Sequence, residues 1–271
     1  NYSINKVVEY RNQNYKVIPI VDDNFRIINI VNFRITRSYL PIDAVVMAGG
    51  RGERLRPMTD VVPKPLLKVG DKPIIMHSLE RLSRFGIDNI WITVRYLGEK
   101  IIEEVGDGND FGAKVSYCRE QEPLGTIGAL KSIKDLKHDY VLVSNSDILT
   151  NIDYEDFFLD FLRQGAELAV VSIPYTVNIP YAVLETEQTS IISFKEKPSY
   201  TYYSNGGIYL MKREAIDLIP EEKFFNATDL MEKLIVLGRK VISYPLHSYW
   251  LDIGKPEDFI KAQADIKHIS M

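Results

Sequence analysis

The sequence predicts an α/β fold in which a mostly parallel central sheet is covered by helices on both faces. Three observations predict it. From Asp43 to about Tyr175, strand-like and helix-like patterns alternate. The strands are near-continuous apolar runs, which is how strands buried on both faces read. A glycine-rich stretch directly follows the first of them, at the strand end where open α/β sheets hold ligands.

In chain order, "SINKVVEYRNQN" places Ile4, Val7 and Val8 at helical spacing, with Ser3 as a candidate N-cap. "YKVIPIV" and "RIINIV", joined by "DDNF", predict two strands and a short turn. At "DAVVMAG" the texture changes. That strand precedes an amphipathic helix, "PIIMHSLERLSRFG", stopped by Gly86. The rhythm continues with strand "NIWITVRY", helix "GEKIIEEVGDG", strand "AKVSYCRE" and helix "GTIGALKSIKDL". Strand "DYVLVSNSD", helix "YEDFFLDFLRQG" and strand "ELAVVSIPY" follow. Beyond them, "YAVLETEQTSIISFKEKP" and "NGGIYLMKR" read as antiparallel hairpins. A helix "NATDLMEKLIVLG", strands within "RKVISYPLHSYWLDIG" and a closing helix "PEDFIKAQADIKHI" complete the pattern.

At 271 residues the chain suffices for one large domain, or one domain with an appendage. A net charge of −4 argues against binding nucleic acid by bulk electrostatics. No apolar run approaches the roughly 20 residues of a membrane-spanning helix. No basic-then-apolar leader opens the sequence, so a cytoplasmic protein is expected. The first residue is Asn, and the natural chain is expected to begin further upstream. The single Cys118 permits no internal disulfide and no cysteine-based zinc cluster, and it reads as a buried, inert thiol.

Residues 48–65, "AGGRGERLRPMTDVVPKP", concentrate glycine, proline and positive charge. Small residues let backbone N–H groups approach an anion closely. The stretch is not a Walker A loop, since no Gly-Lys-Ser/Thr closes it. It also fails the dinucleotide pattern G-x-G-x-x-G: counted from Gly50, Leu55 stands where the third glycine belongs. What remains is a backbone cradle with Arg51, Arg54, Arg56 and Lys64 nearby. Arginine grips phosphate bidentately and lysine supplies a point charge. Pro57, Pro63 and Pro65 stiffen the span.

Extended to "AGGRGERLRPMTDVVPKPLLKV", the stretch resembles the signature of the sugar-1-phosphate nucleotidyltransferases, G-G-x-G-x-R-L followed by P-x-T and P-K-P. The resemblance continues in order through "PLGTIGAL", "SNSDILT", "FKEKPS", "NGGIYL" and "YWLDIGKPEDF", about residues 42–267. "PLGTIGAL" resembles the guanylyltransferase branch, of mannose-1-phosphate guanylyltransferase type. The resemblance implies a Rossmann-like sheet of the nucleotide-diphospho-sugar transferase type, with a small antiparallel sugar-binding part. It also implies a reaction: an NTP and a sugar 1-phosphate give an NDP-sugar and pyrophosphate, for glycan or surface polysaccharide precursors.

A site follows residue by residue from the same resemblance. Ala48, Gly49, Gly50 and Gly52 would cradle the nucleotide, and Gly125 and Thr126 would admit base and ribose. Arg54 would neutralise the departing pyrophosphate, while Lys64 and Lys197 would draw the two anions together. Arg51 and Arg56 are left outside this catalytic set. Asp147 and Asp252 match the family's two metal-binding aspartates, so Mg²⁺ is the expected cofactor. Ala182, Glu196, Lys197 and Asn205 are the implied sugar-phosphate contacts. Strand alternation would separate Glu196 from Lys197, and a bulge before Pro198 is expected to bring both toward the site. Two departures stand out. Ser146 replaces the usual Gly before the first aspartate, and Ala182 replaces a common Gly while resisting positive φ. Asp229 reads either as a helix N-terminal acid or as a pocket residue.

Side-chain chemistry adds a base preference. Glu120 offers two acceptors and no donor. Guanine presents adjacent N1–H and N2–H donors to such a group, whereas uracil and thymine set one ring donor beside acceptors. GTP is therefore the expected nucleotide, with Glu122 competing for the same role. The expected chemistry is in-line displacement at the α-phosphorus, governed by positioning and electrostatics. An ionised phosphate monoester needs no general base. The four histidines form no catalytic arrangement, and His77 reads as structural. Two rivals stand beside this reading: a uridylyl-, thymidylyl- or cytidylyltransferase on the same fold, and a non-catalytic sugar-nucleotide-binding regulator.

"VIPIVDDNFRIINIV" resembles the end of a CBS motif. Residues 1–38 are therefore read as a partial CBS-like remnant before a nucleotidyltransferase domain over residues 42–271. The remnant's apolar strands need cover from the catalytic domain or from another copy, and a homo-oligomer that packs through this segment is expected.

Overall fold

The computed structural model describes residues 3–269. Helix α1 (Ile4–Asn12) leads into a hairpin of β1 (Val17–Val21) and β2 (Ile27–Asn32). Then come β3 (Ile42–Ala48), the short pair β4 (Lys68–Val69) and β5 (Lys72–Pro73), α2 (Ile74–Arg84), β6 (Asn89–Val94) and α3 (Gly98–Val105). β7 (Lys114–Arg119), β8 (Tyr140–Asn145), β9 (Ile148–Thr150) and α4 (Tyr154–Gln164) continue the alternation. β10 (Leu168–Asn178), β11 (Val183–Glu187), β12 (Ser190–Lys195) and β13 (Ser199–Lys212) form the antiparallel part. α5 (Ala227–Val236), β14 (Val241–Pro245), β15 (Trp250–Asp252) and α6 (Pro256–Asp265) follow.

Seven strands make the central sheet, in the order β14-β10-β13-β8-β3-β6-β7. β3 lies parallel to both β6 and β8, β6 to β7, and β10 to β14. β13 runs antiparallel to its two neighbours. The chain steps from β3 out to β6 and β7, then returns to β8 on the other side of β3. Such a reversal opens a crevice at the C-terminal strand ends. The glycine-rich loop leaves β3 at that crevice.

The sheet is buried on both faces. On one, Ala44 and Val46 of β3 pack with Leu79 of α2, Ile101 of α3 and Phe157 of α4. On the other, Val45 packs with Leu130 and with Leu230 and Leu234 of α5. Local signals set the helix ends. Asp153 caps α4 by accepting from the Glu155 and Asp156 N–H groups, and Gly165 ends it in the left-handed conformation. Asp229 proves to be a helix N-terminal acid, since it accepts from Asn226 N–H in a capping box on α5.

One expected element is absent. Residues 125–136 form no α-helix, only a 3-10 stretch at Gly128–Ser132. Gly125 sits at φ +78°, outside helical space, and the Ile127 N–H bonds the Phe225 carbonyl at 3.1 Å. Two glycines and three β-branched residues make this segment a poor helix, and the contact with residues 225–227 decides its path.

The N-terminal unit is covered by the part of the chain that follows it. Ile4, Val7, Ile18, Ile20 and Val31 are buried in the same core as β3 and α2. Arg11 forks onto Glu155 at 3.0 and 2.7 Å, a bidentate pair that fixes orientation as well as charge. Tyr39 donates to Asp88 at 2.8 Å, and Asn29 of β2 reaches the same carboxylate. The outer face of the hairpin, including Val17, Ile27 and Ile30, is exposed. No helix among the described residues is long and apolar enough to cross a membrane.

Candidate active site

A cleft of about 580 Å³ opens at the C-terminal ends of β3, β6, β7 and β8. Its floor is the loop after β3. Gly52 adopts φ +65°, and a Cβ there would stand 2.9 Å from the Lys64 Cβ, so the turn requires glycine. Thr59 donates its hydroxyl to the Gly52 carbonyl at 2.9 Å, and Leu55 is fully buried beneath. Tyr96 and Lys100 hold the far side by donating to carbonyls of residues 59–61. Ala48, Gly49, Gly50, Gly52, Arg54 and Lys64 all line the cleft. Arg51 lines it too, with its guanidinium 5.9 Å from the Tyr96 ring centre. Arg56 turns into solvent and pairs with Asp60 at 3.2 Å.

Lys64 sits among carboxylates. β9 and β15 pair antiparallel with Ile148 opposite Asp252, and the Ile253 N–H donates to the Asp147 carbonyl at 3.0 Å. This ladder brings Asp147 and Asp252 together across more than a hundred residues of sequence. The Lys64 ammonium donates to Asp147 and stands 4.0 Å from Asp252. Each aspartate keeps one Oδ1 buried with no hydrogen-bond partner. Burial raises the Asp252 pKa above its ordinary range; the Asp147 charge adds to this, and Lys64 and Arg54 oppose it. Two adjacent carboxylates with unused buried oxygens, at the mouth of an anion cradle, are the donor set a divalent cation with phosphate ligands takes. No cluster of three or more potential metal-binding side chains occurs among the described residues. Arg54 lies over Gly254, where a Cβ would come within 3.2 Å of both terminal guanidinium nitrogens.

Glu120 lies at the other end of the cleft, just past β7. Burial raises its pKa, and the nearby Thr93 hydroxyl, Leu124 backbone and Arg95 charge oppose this. Gly49 makes room for it: a Cβ there would meet Glu120 Oε1 at 2.9 Å. Glu122, the competitor, is exposed and lies outside the cleft lining. Gly125 and Thr126 complete this end. The Thr126 hydroxyl accepts from Ala227 N–H at 2.8 Å, which ties the turn to α5.

The sugar-side candidates are placed differently. Ala182, Glu196, Lys197 and Asn205 do not line this cleft. They lie on the antiparallel ribbon of β10 and β13 or near the β11–β12 hairpin at its tip, where all of β12 is exposed. The bulge of that hairpin falls at Glu185/Thr186 rather than before Pro198. Lys197 itself takes the left-handed conformation, φ +44°. Ala182 is not among the residues with positive φ. Asn205 accepts from Gly207 N–H at 2.9 Å. Ser146 fits at the cleft wall, 6% exposed. His77 is buried and bonds the Val69 carbonyl at 2.9 Å, a structural role. Burial raises the Cys118 pKa, as for an inert thiol.

Sequence reasoning missed Thr93, Arg95 and Asn145, which also line the cleft. The available signal was topological: they sit at or just beyond the C-terminal ends of β6 and β8, the strands flanking β3.

A family model for nucleotidyl transferases matches residues 43–269. The chain belongs to the nucleotidyl transferase family. Among relatives of this nucleotidyl transferase, a mannose-1-phosphate guanylyltransferase of Mycobacterium tuberculosis is 34% identical over 83% of the chain. The match spans 64% of that relative's length. A D-glycero-alpha-D-manno-heptose 1-phosphate guanylyltransferase of Aneurinibacillus thermoaerophilus is 31% identical over 84% of the chain and 99% of its own length. The solved structure of HddC from Yersinia pseudotuberculosis, complexed with GMP-PN, superposes with a TM-score of 0.65 at 28% identity, covering 83% of this chain and 99% of that one. The family match begins at Asp43, so the α1–β1–β2 unit lies outside it.

Proposed function

We propose that this chain joins GTP to a sugar 1-phosphate, giving a GDP-sugar and pyrophosphate. One observation carries the reading: a single glycine-floored cleft holds Lys64 between two aspartates at one end and a half-buried Glu120 at the other. That spacing of a phosphate end and a base end suits a nucleoside triphosphate. The guanylyltransferase names of the relatives support the base, and both names specify manno-configured sugar 1-phosphates.

In this account the sugar-phosphate oxygen attacks the α-phosphorus and pyrophosphate leaves in line. Backbone N–H groups of the loop and the Arg54 guanidinium take up charge on the departing group. Lys64 counters the repulsion between the two reacting anions. Asp147 and Asp252 would hold Mg²⁺, which when bound neutralises phosphate oxygens. Lys197 and Glu196 would meet the sugar phosphate if the ribbon's tip moves toward the cleft.

Pyrophosphate release from four NTPs, each paired with mannose, heptose, glucose and glucosamine 1-phosphates, tests this. GTP with a manno-configured sugar is expected to give the highest kcat/KM. Lys64→Met is expected to lower that rate by about 10²–10³-fold, the range for removing one positioned transition-state charge. Binding of sugar nucleotide without pyrophosphate release from any pair would favour the regulator instead.

A further inference from the structure

Arg95 lines the cleft but takes no part in the proposed phosphate chemistry. Val94 at the end of β6 is in register with Ala48 of β3 and Arg119 of β7. Gly49, Arg95 and Glu120 therefore form the next row across three adjacent strand ends. Backbone alternation gives that row the side of the sheet occupied by Met47 and Thr93. That side is the cleft, which all three line. Arg95 is near enough for its charge to favour the Glu120 carboxylate. Even so, its guanidinium makes no hydrogen bond or ion pair among the described residues, and its Nε is buried without a partner. A buried guanidinium nitrogen with no acceptor is costly.

We propose that Arg95 is the second half of the base reader, donating to O6 of a guanine whose N1–H and N2–H groups meet Glu120. This rests on the guanine reading given above. Read along its edge, guanine offers an acceptor, then two donors; a guanidinium beside a carboxylate is the complement. Adenine puts a donor opposite the arginine and an acceptor opposite the acid. Uracil leaves one carboxylate oxygen facing O2.

The test uses kcat/KM for GTP, 6-thio-GTP, ITP, ATP and UTP in the wild type and in Arg95→Met. Sulfur at position 6 is a poor acceptor, and inosine lacks the 2-amino donor. The wild type is expected to prefer GTP over 6-thio-GTP and over ITP. Arg95→Met should lose about 10- to 100-fold with GTP, the range for a hydrogen bond to a charged group. Its preference over 6-thio-GTP should collapse while its preference over ITP persists, a pattern that general loosening of the site would not produce. Arg95→Lys, which keeps the charge without the fork, should recover part of the loss and serves if the Met variant folds poorly. A wild type with no preference for GTP would overturn the guanine reading and this proposal together. A GTP-selective wild type whose 6-thio-GTP discrimination survives both substitutions would overturn the role of Arg95 alone.

Discussion

Lys64 holds in place two aspartates that would otherwise repel each other. Its donation to Asp147 and its 4.0 Å approach to Asp252 partly offset the cost of gathering those charges. The remainder shows in the raised Asp252 pKa, caused first by burial and then by Asp147. A carboxyl whose folded-state pKa is raised binds its proton more tightly when folded. It therefore supports the fold below its ordinary value of 3.8 and weakens it once pH passes the raised value. Asp252→Asn is expected to raise the melting temperature of the metal-free protein at pH 7, and the gain should vanish as pH falls below 3.8. Millimolar Mg²⁺ should stabilise the wild type and leave the variant unmoved. Equal melting temperatures at pH 7 without metal would show that Asp252 is not under this strain. Glu120 and the two aspartates were legible in the sequence because each belongs to a motif. Arg95 and Thr93 were not, because "ITVRY" contains nothing but an ordinary strand end.

At the scale of elements, the loop after β3 fixes the backbone on which Arg54 and Lys64 stand. Gly52 is its pivot. Gly52→Ala would impose positive φ on a residue with a Cβ and push that Cβ against Lys64. We expect a loss of about 1 kcal/mol or more in stability, together with a fall in kcat as Lys64 is displaced. Thermal denaturation and steady-state turnover check this, and a variant with wild-type values in both would mean that the loop tolerates a shifted Lys64. The strand–helix alternation from β3 through β7, and β8–α4–β10 after it, could be read from apolar patterning alone. The pairing of β9 with β15 could not, since nothing local in "ILT" or "WLD" names its partner. The segment 125–136 misled for a related reason. Its apolar spacing looks helical, but the Thr126 and Ile127 N–H groups donate to the Asn226 side chain and the Phe225 carbonyl.

For the whole molecule, the N-terminal unit shares the catalytic part's core instead of forming one of its own. Ile18, 7% exposed, belongs to that shared core. Ile18→Ala should cost about 2–5 kcal/mol and lower the melting temperature of the molecule in one transition. A variant whose N-terminal unit melts separately, with the catalytic transition unchanged, would show instead that the two fold independently. Sequence patterning predicted the hairpin but could not say which of its faces would be covered, since both faces are apolar. The proposed reaction breaks the nucleotide between its α- and β-phosphates. GTP labelled at either the α- or the γ-phosphorus, incubated with Mg²⁺ and mannose or heptose 1-phosphate, tests it directly. The α-label is expected in a nucleoside diphosphate sugar and the γ-label in pyrophosphate, in equal amounts. Transfer of the γ-label to the sugar, or its release as free phosphate, would contradict it.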